Sequence, residues 1–144
     1  MITPIKRFQI DLDENKIIYD TAQAMAIEHL QNLYGNLIQS WDYHPSMLES
    51  LLAYLKKPNK QAHIQGLYFW GGVGRGKTYL MDLFFHCLPG DRKMRMHFHR
   101  FMQMVHRELT QQKGKVDPLI AIALGISKKT DIICFDEFFV SDIT

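Results

Sequence analysis

The stretch GGVGRGKT, residues 71–78, constrains this chain more than any other. Four of its eight residues are glycine, and it ends in Lys77-Thr78. The short apolar run LYFW (67–70) precedes it, which predicts a strand buried on both faces. After it comes YLMDLFFHCL (79–88), apolar nearly all round, which predicts a buried helix stopped by Pro89-Gly90. Between a strand and a helix, G-x-x-x-x-G-K-[ST] is the pattern of a phosphate-binding loop.

The chemistry explains the composition. A polyphosphate must be wrapped by backbone N–H groups that all point inward, and a Cβ would block that approach. The positive end of the following helix adds its partial charge. Lys77 reaches toward β- and γ-phosphates, and the Thr78 hydroxyl is placed to hold Mg²⁺. Gly71, Gly72, Val73, Gly74, Arg75, Gly76, Lys77, Thr78 and Tyr79 are therefore the candidate ATP-binding residues, with no catalytic role assigned to Arg75.

A second candidate site lies 59 residues after Lys77, in DIICF (131–135) followed by Asp136-Glu137. A buried strand ending in a carboxylate places that carboxylate at the C-terminal edge of a parallel sheet, beside the phosphate loop. Asp136 would hold the hydration shell of Mg²⁺, and Glu137 would take a proton from the attacking water, which makes Glu137 and Lys77 the catalytic candidates. Between the two sites, KMRMHFH alternates Met94, Met96 and Phe98 against Arg95, His97 and His99, a strand pattern. RFMQMVHRELTQQ reads as a helix with Phe101, Met104, Val105 and Leu109 inward. DPLIAIAL is a shorter helix with Asp117 as cap and Pro118 first. Alternating strands and helices mean an α/β parallel sheet. His97 and His99 would share a strand face, but no third metal ligand is evident, so they read as ordinary strand histidines.

The N-terminal third reads as two helices. Asp20 caps the first, with Ala26, Leu30, Leu33, Leu37 and Ile38 at helical spacing. Ser46 and Glu49 form a capping box for the second, MLESLLAYLKK, which Pro58 closes. PNKQAHIQG then reads as a linker. The expected division is thus a helical region with linker over 1–65 and the first half of a P-loop ATPase domain over 66–144. Lys plus Arg exceed Asp plus Glu by only two, and the basic residues are scattered, which does not advertise nucleic acid. Cys87 and Cys134 sit in apolar runs and read as core thiols of a reducing compartment. No apolar stretch approaches the ~18 residues of a membrane span, and the N-terminus does not read as a signal peptide.

At YFWGGVGRGKTYLMDLFF, MHFHRFM and CFDEFFVSDIT, and at Asp20-x-x-Gln23, the chain resembles the AFG-type ATPases, an AAA+-related family. That resemblance implies a P-loop NTPase sheet flanked by helices and an enzyme that binds ATP with Mg²⁺ and hydrolyses it. It also implies ATP-dependent homo-oligomers, a bacterial cytoplasmic location, recruitment to the division site and FtsZ as a partner late in division. The chain departs from the family at Phe139, where many relatives carry Gln, and it stops at Thr144. The resemblance implies further strands, a polar sensor and an arginine supplied to a neighbour beyond that point. These 144 residues alone are accordingly expected to lack turnover and to be marginally stable. Two other readings stay open: a P-loop kinase acting on a small acceptor, and a nucleotide-binding adaptor without turnover.

Overall fold

The structure, a computed structural model, describes residues 1–42, 64–112, 114 and 116–138. The chain forms two compact units, Met1–Cys87 and Leu88–Thr144. The expected helix at MLESLLAYLKK, most of the expected linker, and Phe139 lie outside the described residues.

Among the described residues, the first unit is built on three helices: α1 (Pro4–Asp13), α2 (Thr21–Asp42) and α3 (Lys77–Cys87). The sequence reading missed α1, although Pro4 at its first position is a recognisable start. Its first-turn Ile5 N–H donates to Gln31 Oε1 of α2 at 3.2 Å. It stops where Asn15 turns left-handed (φ 54°) and the Lys16 N–H bonds back to the Asp11 carbonyl at 2.9 Å. The start of α2 follows the sequence: Asp20 Oδ1 accepts the Gln23 backbone N–H at 2.9 Å. Its buried stripe is Ile27, Leu30, Leu33, Tyr34 and Leu37, at helical spacing, while Ala26 and Ile38 are only half-buried. Leu80, Leu83, Phe84 and Cys87 of α3 and Phe8 of α1 complete this core, with Phe84 and Pro4 fully buried. Each such Leu or Phe contributes about 1.5–3 kcal/mol by leaving water.

Among these apolar residues sits a charge. Asp11 is 4% exposed, and its Oδ2 accepts the Tyr79 hydroxyl at 2.8 Å while Arg7 lies 3.1 Å from Oδ1. The bond ties α1 to the first turn of α3.

The second unit holds a parallel pair, β1 (Lys93–His97) and β2 (Ile132–Asp136), in register from Lys93↔Ile132 to His97↔Asp136. The helices α4 (Phe98–Gln111) and α5 (Pro118–Ser127) lie between them in sequence, as a crossover connection requires. The expected strand continuation through Phe98 and His99 does not form, because both residues open α4. Phe98 and Phe101, one helical turn apart, pack on Phe135 of β2 with ring centroids at 5.5 and 4.9 Å. Phe101, Met104, Val105 and Leu109 are half-buried and share one face of α4. Asp117 stands at the N-cap of α5 but makes no side-chain cap bond; it is itself left-handed, with φ 50°. Arg92 closes the other end of α5, donating to the Ser127 and Lys128 carbonyls while forking onto Asp131 at 2.6 and 2.7 Å. That guanidinium holds the Asp131 carboxyl below the usual carboxylate range.

No strand forms at LYFW. Leu67, Tyr68 and Trp70 are exposed, and the strands among the described residues are β1 and β2, which pair with each other. A strand exists only through a partner's hydrogen bonds, and apolar composition alone does not supply them. Both cysteines are buried, as expected, and neither forms a disulfide.

Replacing Tyr79 by Phe should cost about 1–3 kcal/mol, because buried Asp11 loses a hydrogen-bond donor. Burial, and then the bond to Asp11, push the Tyr79 hydroxyl above the usual tyrosine range. The unfolded chain ionises it near its ordinary value of about 10. Stability from Tyr79 is therefore complete below that pH and is lost as pH rises through the folded value. Chemical denaturation from neutral to alkaline pH should show Tyr79→Phe flattening the alkaline decline.

Candidate functional site

The loop of residues 71–76 enters α3 at Lys77. Three of its glycines are in the positive-φ region: Gly71 at 144°, Gly74 at 81° and Gly76 at 77°. A side chain there would strain the backbone, so the glycine content has a local physical cause. Space is a separate matter. A Cβ added at Gly71, Gly72 or Gly74 would meet nothing within 4 Å, so that side of the loop is open. At Gly76 the added atom would stand 2.6 Å from Gln23 Nε2 of α2.

Lys77 does not point away from the loop it follows. Its Nζ donates to the carbonyls of Gly71 and Gly72 at 2.8 and 2.7 Å, so the ammonium reaches back from the first residue of α3 to the start of the loop. Thr78 is exposed in the first turn of α3. Val73 and Arg75 are exposed as well, and the Arg75 carbonyl accepts from Gln23 Nε2 at 3.3 Å. Tyr79 turns its hydroxyl to Asp11 in the core, leaving its backbone as the part near the loop.

Asp136 and Glu137 belong to the second unit. Asp136 ends β2, opposite His97 in the register. Its carboxylate accepts from Arg95 Nε at 2.8 Å and Nη2 at 3.3 Å, and the two side chains are only 17% and 21% exposed. Arg95 registers with Cys134, so Arg95, Cys134 and Asp136 lie on one face of the pair. Burial pushes the Cys134 thiol up to about 11, against the lowering effect of Arg95. Glu137 is exposed and left-handed, with φ 52°, a conformation that costs a non-glycine residue free energy and recurs at functional positions. His97 Nδ1 lies 3.7 Å from Glu137 Oε2. The rings of His97 and His99 are 5.8 Å apart, one ending β1 and the other in α4. Among the described residues, no three His, Cys, Asp or Glu side chains converge on a metal position.

Two contacts were not anticipated. The alternating pattern marks Arg95 only as the polar side of a strand; a cation diagonal to Asp136 in a parallel pair becomes visible once the register is known. Gln23 was noted in the sequence, but its reach to the loop needs the packing of α2.

The AFG1-like ATPase family model matches residues 2–144. The "Cell division protein ZapE" of Escherichia coli (strain K12) is 47% identical over 149 residues, covering 99% of this chain and 40% of that protein. An uncharacterized protein of Schizosaccharomyces pombe is 33% identical over 169 residues, covering 98% of this chain and 37% of its own length. "Lactation elevated protein 1 homolog B" of Danio rerio is 46% identical over 90 residues, covering 55% of this chain and 18% of its own. The chain thus spans 40% or less of the length of these curated relatives. No solved structure matches it.

Arg95→Ala should leave the Asp136 carboxylate, mostly out of water, without its counter-ion. Because solvent screens part of the pair, the expected loss is about 1–3 kcal/mol, read by thermal denaturation of the variant.

Proposed function

Since this chain belongs to the AFG1-like ATPase family, we propose that it binds ATP at residues 71–79 and serves an ATP hydrolase acting on a protein assembly. The observation that carries this reading is the glycine loop with Lys77 drawn across it. Left-handed glycines permit the nest of backbone N–H groups that binds anions, and the Lys77 ammonium at the loop adds charge complementary to a polyphosphate.

The residues fit ATP and its metal on their own chemistry. Gly71, Gly72 and Gly74 have room beside them that a bulky anion needs. Lys77 has two carbonyl partners that it can exchange for phosphate oxygens, a stronger pairing because both sides are charged. Bound Mg²⁺ would neutralise phosphate charge, and the residues that would hold it are Thr78 through its hydroxyl and Asp136 through the metal's hydration shell. Asp136 already faces a cation, Arg95, which orients its carboxylate. Glu137, exposed at the end of β2, would accept the proton of the attacking water.

The hydrolase reading is favoured over a kinase by Glu137 standing directly beside Asp136, where a water-activating base is of use. The similarity to a protein named for cell division supports a role in a division-ring assembly, with FtsZ as the partner to test and homo-oligomers as the working form. No helix among the described residues is long and apolar enough to cross a membrane, and a cytoplasmic site of action is part of the proposal.

Lys77→Ala in the intact protein should weaken ATP binding by about tenfold or more, since a charge on the phosphates is lost. Unchanged affinity in calorimetric titration would sink the assignment. Glu137→Gln should instead bind ATP normally while turnover falls by ~10²-fold or more. Steady-state phosphate release measures this, and normal turnover would remove Glu137 from the role of base. Release that depends on an added small acceptor would favour the kinase, and binding without release the adaptor.

A further inference from the structure

The opening of α2 is built around one side chain. Asp20 Oδ1 holds the Gln23 backbone N–H at 2.9 Å, which fixes the first turn of the helix. From that turn Gln23 reaches the loop 52 residues later, donating from Nε2 to the Arg75 carbonyl at 3.3 Å. The approach is close: a Cβ at Gly76 would lie 2.6 Å from Nε2 and 3.2 Å from Cδ. Gly76 is thus required by its φ of 77°, and a Cβ there would in addition displace the carboxamide beside it. The other end of that carboxamide, Oε1, is buried with no hydrogen-bond partner among the described residues. A buried acceptor left unpaired is unfavourable, so the packing and the bond to Arg75 hold the group there against that cost.

The described peptide bonds contain no cis isomer, so the Arg75–Gly76 peptide is trans and its N–H points opposite to its C=O. A carbonyl turned toward Gln23 therefore turns the Gly76 N–H away from α2. We propose that Gln23 is a positioning residue of the phosphate loop: by gripping the Arg75 carbonyl it sets the Gly76 N–H toward the bound phosphate. The proposal rests on the nucleotide-binding reading of residues 71–79. It makes the first turn of α2 part of the nucleotide site without touching the nucleotide.

The test is calorimetric titration of the intact protein with MgATP, comparing wild type, Gln23→Glu and Gln23→Met. Gln23→Glu keeps the shape and loses the N–H donor; Gln23→Met keeps the length without a charge. Each should weaken MgATP binding by about tenfold, while the nucleotide-free melting temperature stays within about 4 °C of wild type. A pH series separates positioning from packing. As pH falls toward the ordinary glutamate value of about 4.3, Glu at position 23 gains an O–H donor, so the ratio of the Gln23→Glu to the wild-type dissociation constant should shrink. Either variant binding MgATP as tightly as wild type overturns the proposal, and so does a ratio that ignores pH. If Gln23→Glu fails to fold, Gln23→Met decides. If both fail to fold, Gln23 is a fold-stabilising residue and the proposal falls. If wild type itself binds no MgATP, the nucleotide reading fails and the proposal with it.

Discussion

A loop made largely of glycine has no side chains with which to hold its own shape, so whatever anchors its ends and flanks must do so. Here the anchor behind it is α3, whose Leu80, Leu83, Phe84 and Cys87 are buried from the first turn after the loop onward. At the start of that helix, Tyr79 is tied to Asp11 of α1, and Gln23 of α2 abuts Gly76. Two helices from the N-terminal stretch therefore converge on the same few residues. Next to them, Gly71, Gly74 and Gly76 take positive φ. The N-terminal region is in this sense structural support for the site, though its own sequence carries no catalytic pattern.

The second unit meets a different constraint. A carboxylate at the end of a half-buried strand is unfavourable unless something compensates its charge. Arg95 supplies the compensation from the neighbouring strand, across one diagonal of the parallel register. The opposite face, where Phe98 and Phe101 pack on Phe135, supplies the apolar burial that holds the two strands in that register. Slipping the pair by one residue would carry Arg95 to the aromatic side and leave Asp136 alone, so charge pairing and aromatic packing select the same alignment.

How much of this was legible in the sequence follows from which interactions are local. The Asp20 cap, the stripe of α2, the helix after the loop and the strand at β2 all depend on residues within a turn or two, and they appear where the pattern puts them. The family was legible too, because the loop and its flanks are continuous in sequence. The strand at LYFW was not, since four apolar residues specify burial but not the partner that turns an extended segment into a strand. The switch from β1 to α4 was misplaced by two residues for a related reason. Phe98 and His99 continue the alternation of a strand and equally begin the period of a helix, and only the packing of Phe98 and Phe101 on Phe135 decides between them. Helix α1 went unseen because its stabilising contacts, to Gln31 and Tyr79, come from other elements. The contacts of Arg95 and Gln23 have the same origin: each spans 41 or more residues.

Lys77 has a consequence that a point-charge view leaves out. Its ammonium bonds the first two carbonyls of the loop that it terminates, so in this structure it is a tether as well as a charge. Two charge-assisted bonds that close a glycine-rich segment offset part of the conformational entropy such a segment would otherwise gain. An arriving phosphate offers the ammonium an anionic partner in place of neutral carbonyls, and the exchange keeps the lysine at the loop. On the proposed reading, the same residue would hold the loop before binding and neutralise the ligand after it. A substitution that retains positive charge is not equivalent, because the planar guanidinium of arginine presents its donors in a fixed fork, unlike the compact ammonium that meets two adjacent carbonyls here. In the proposed site, the case for lysine at position 77 is therefore geometric as much as electrostatic.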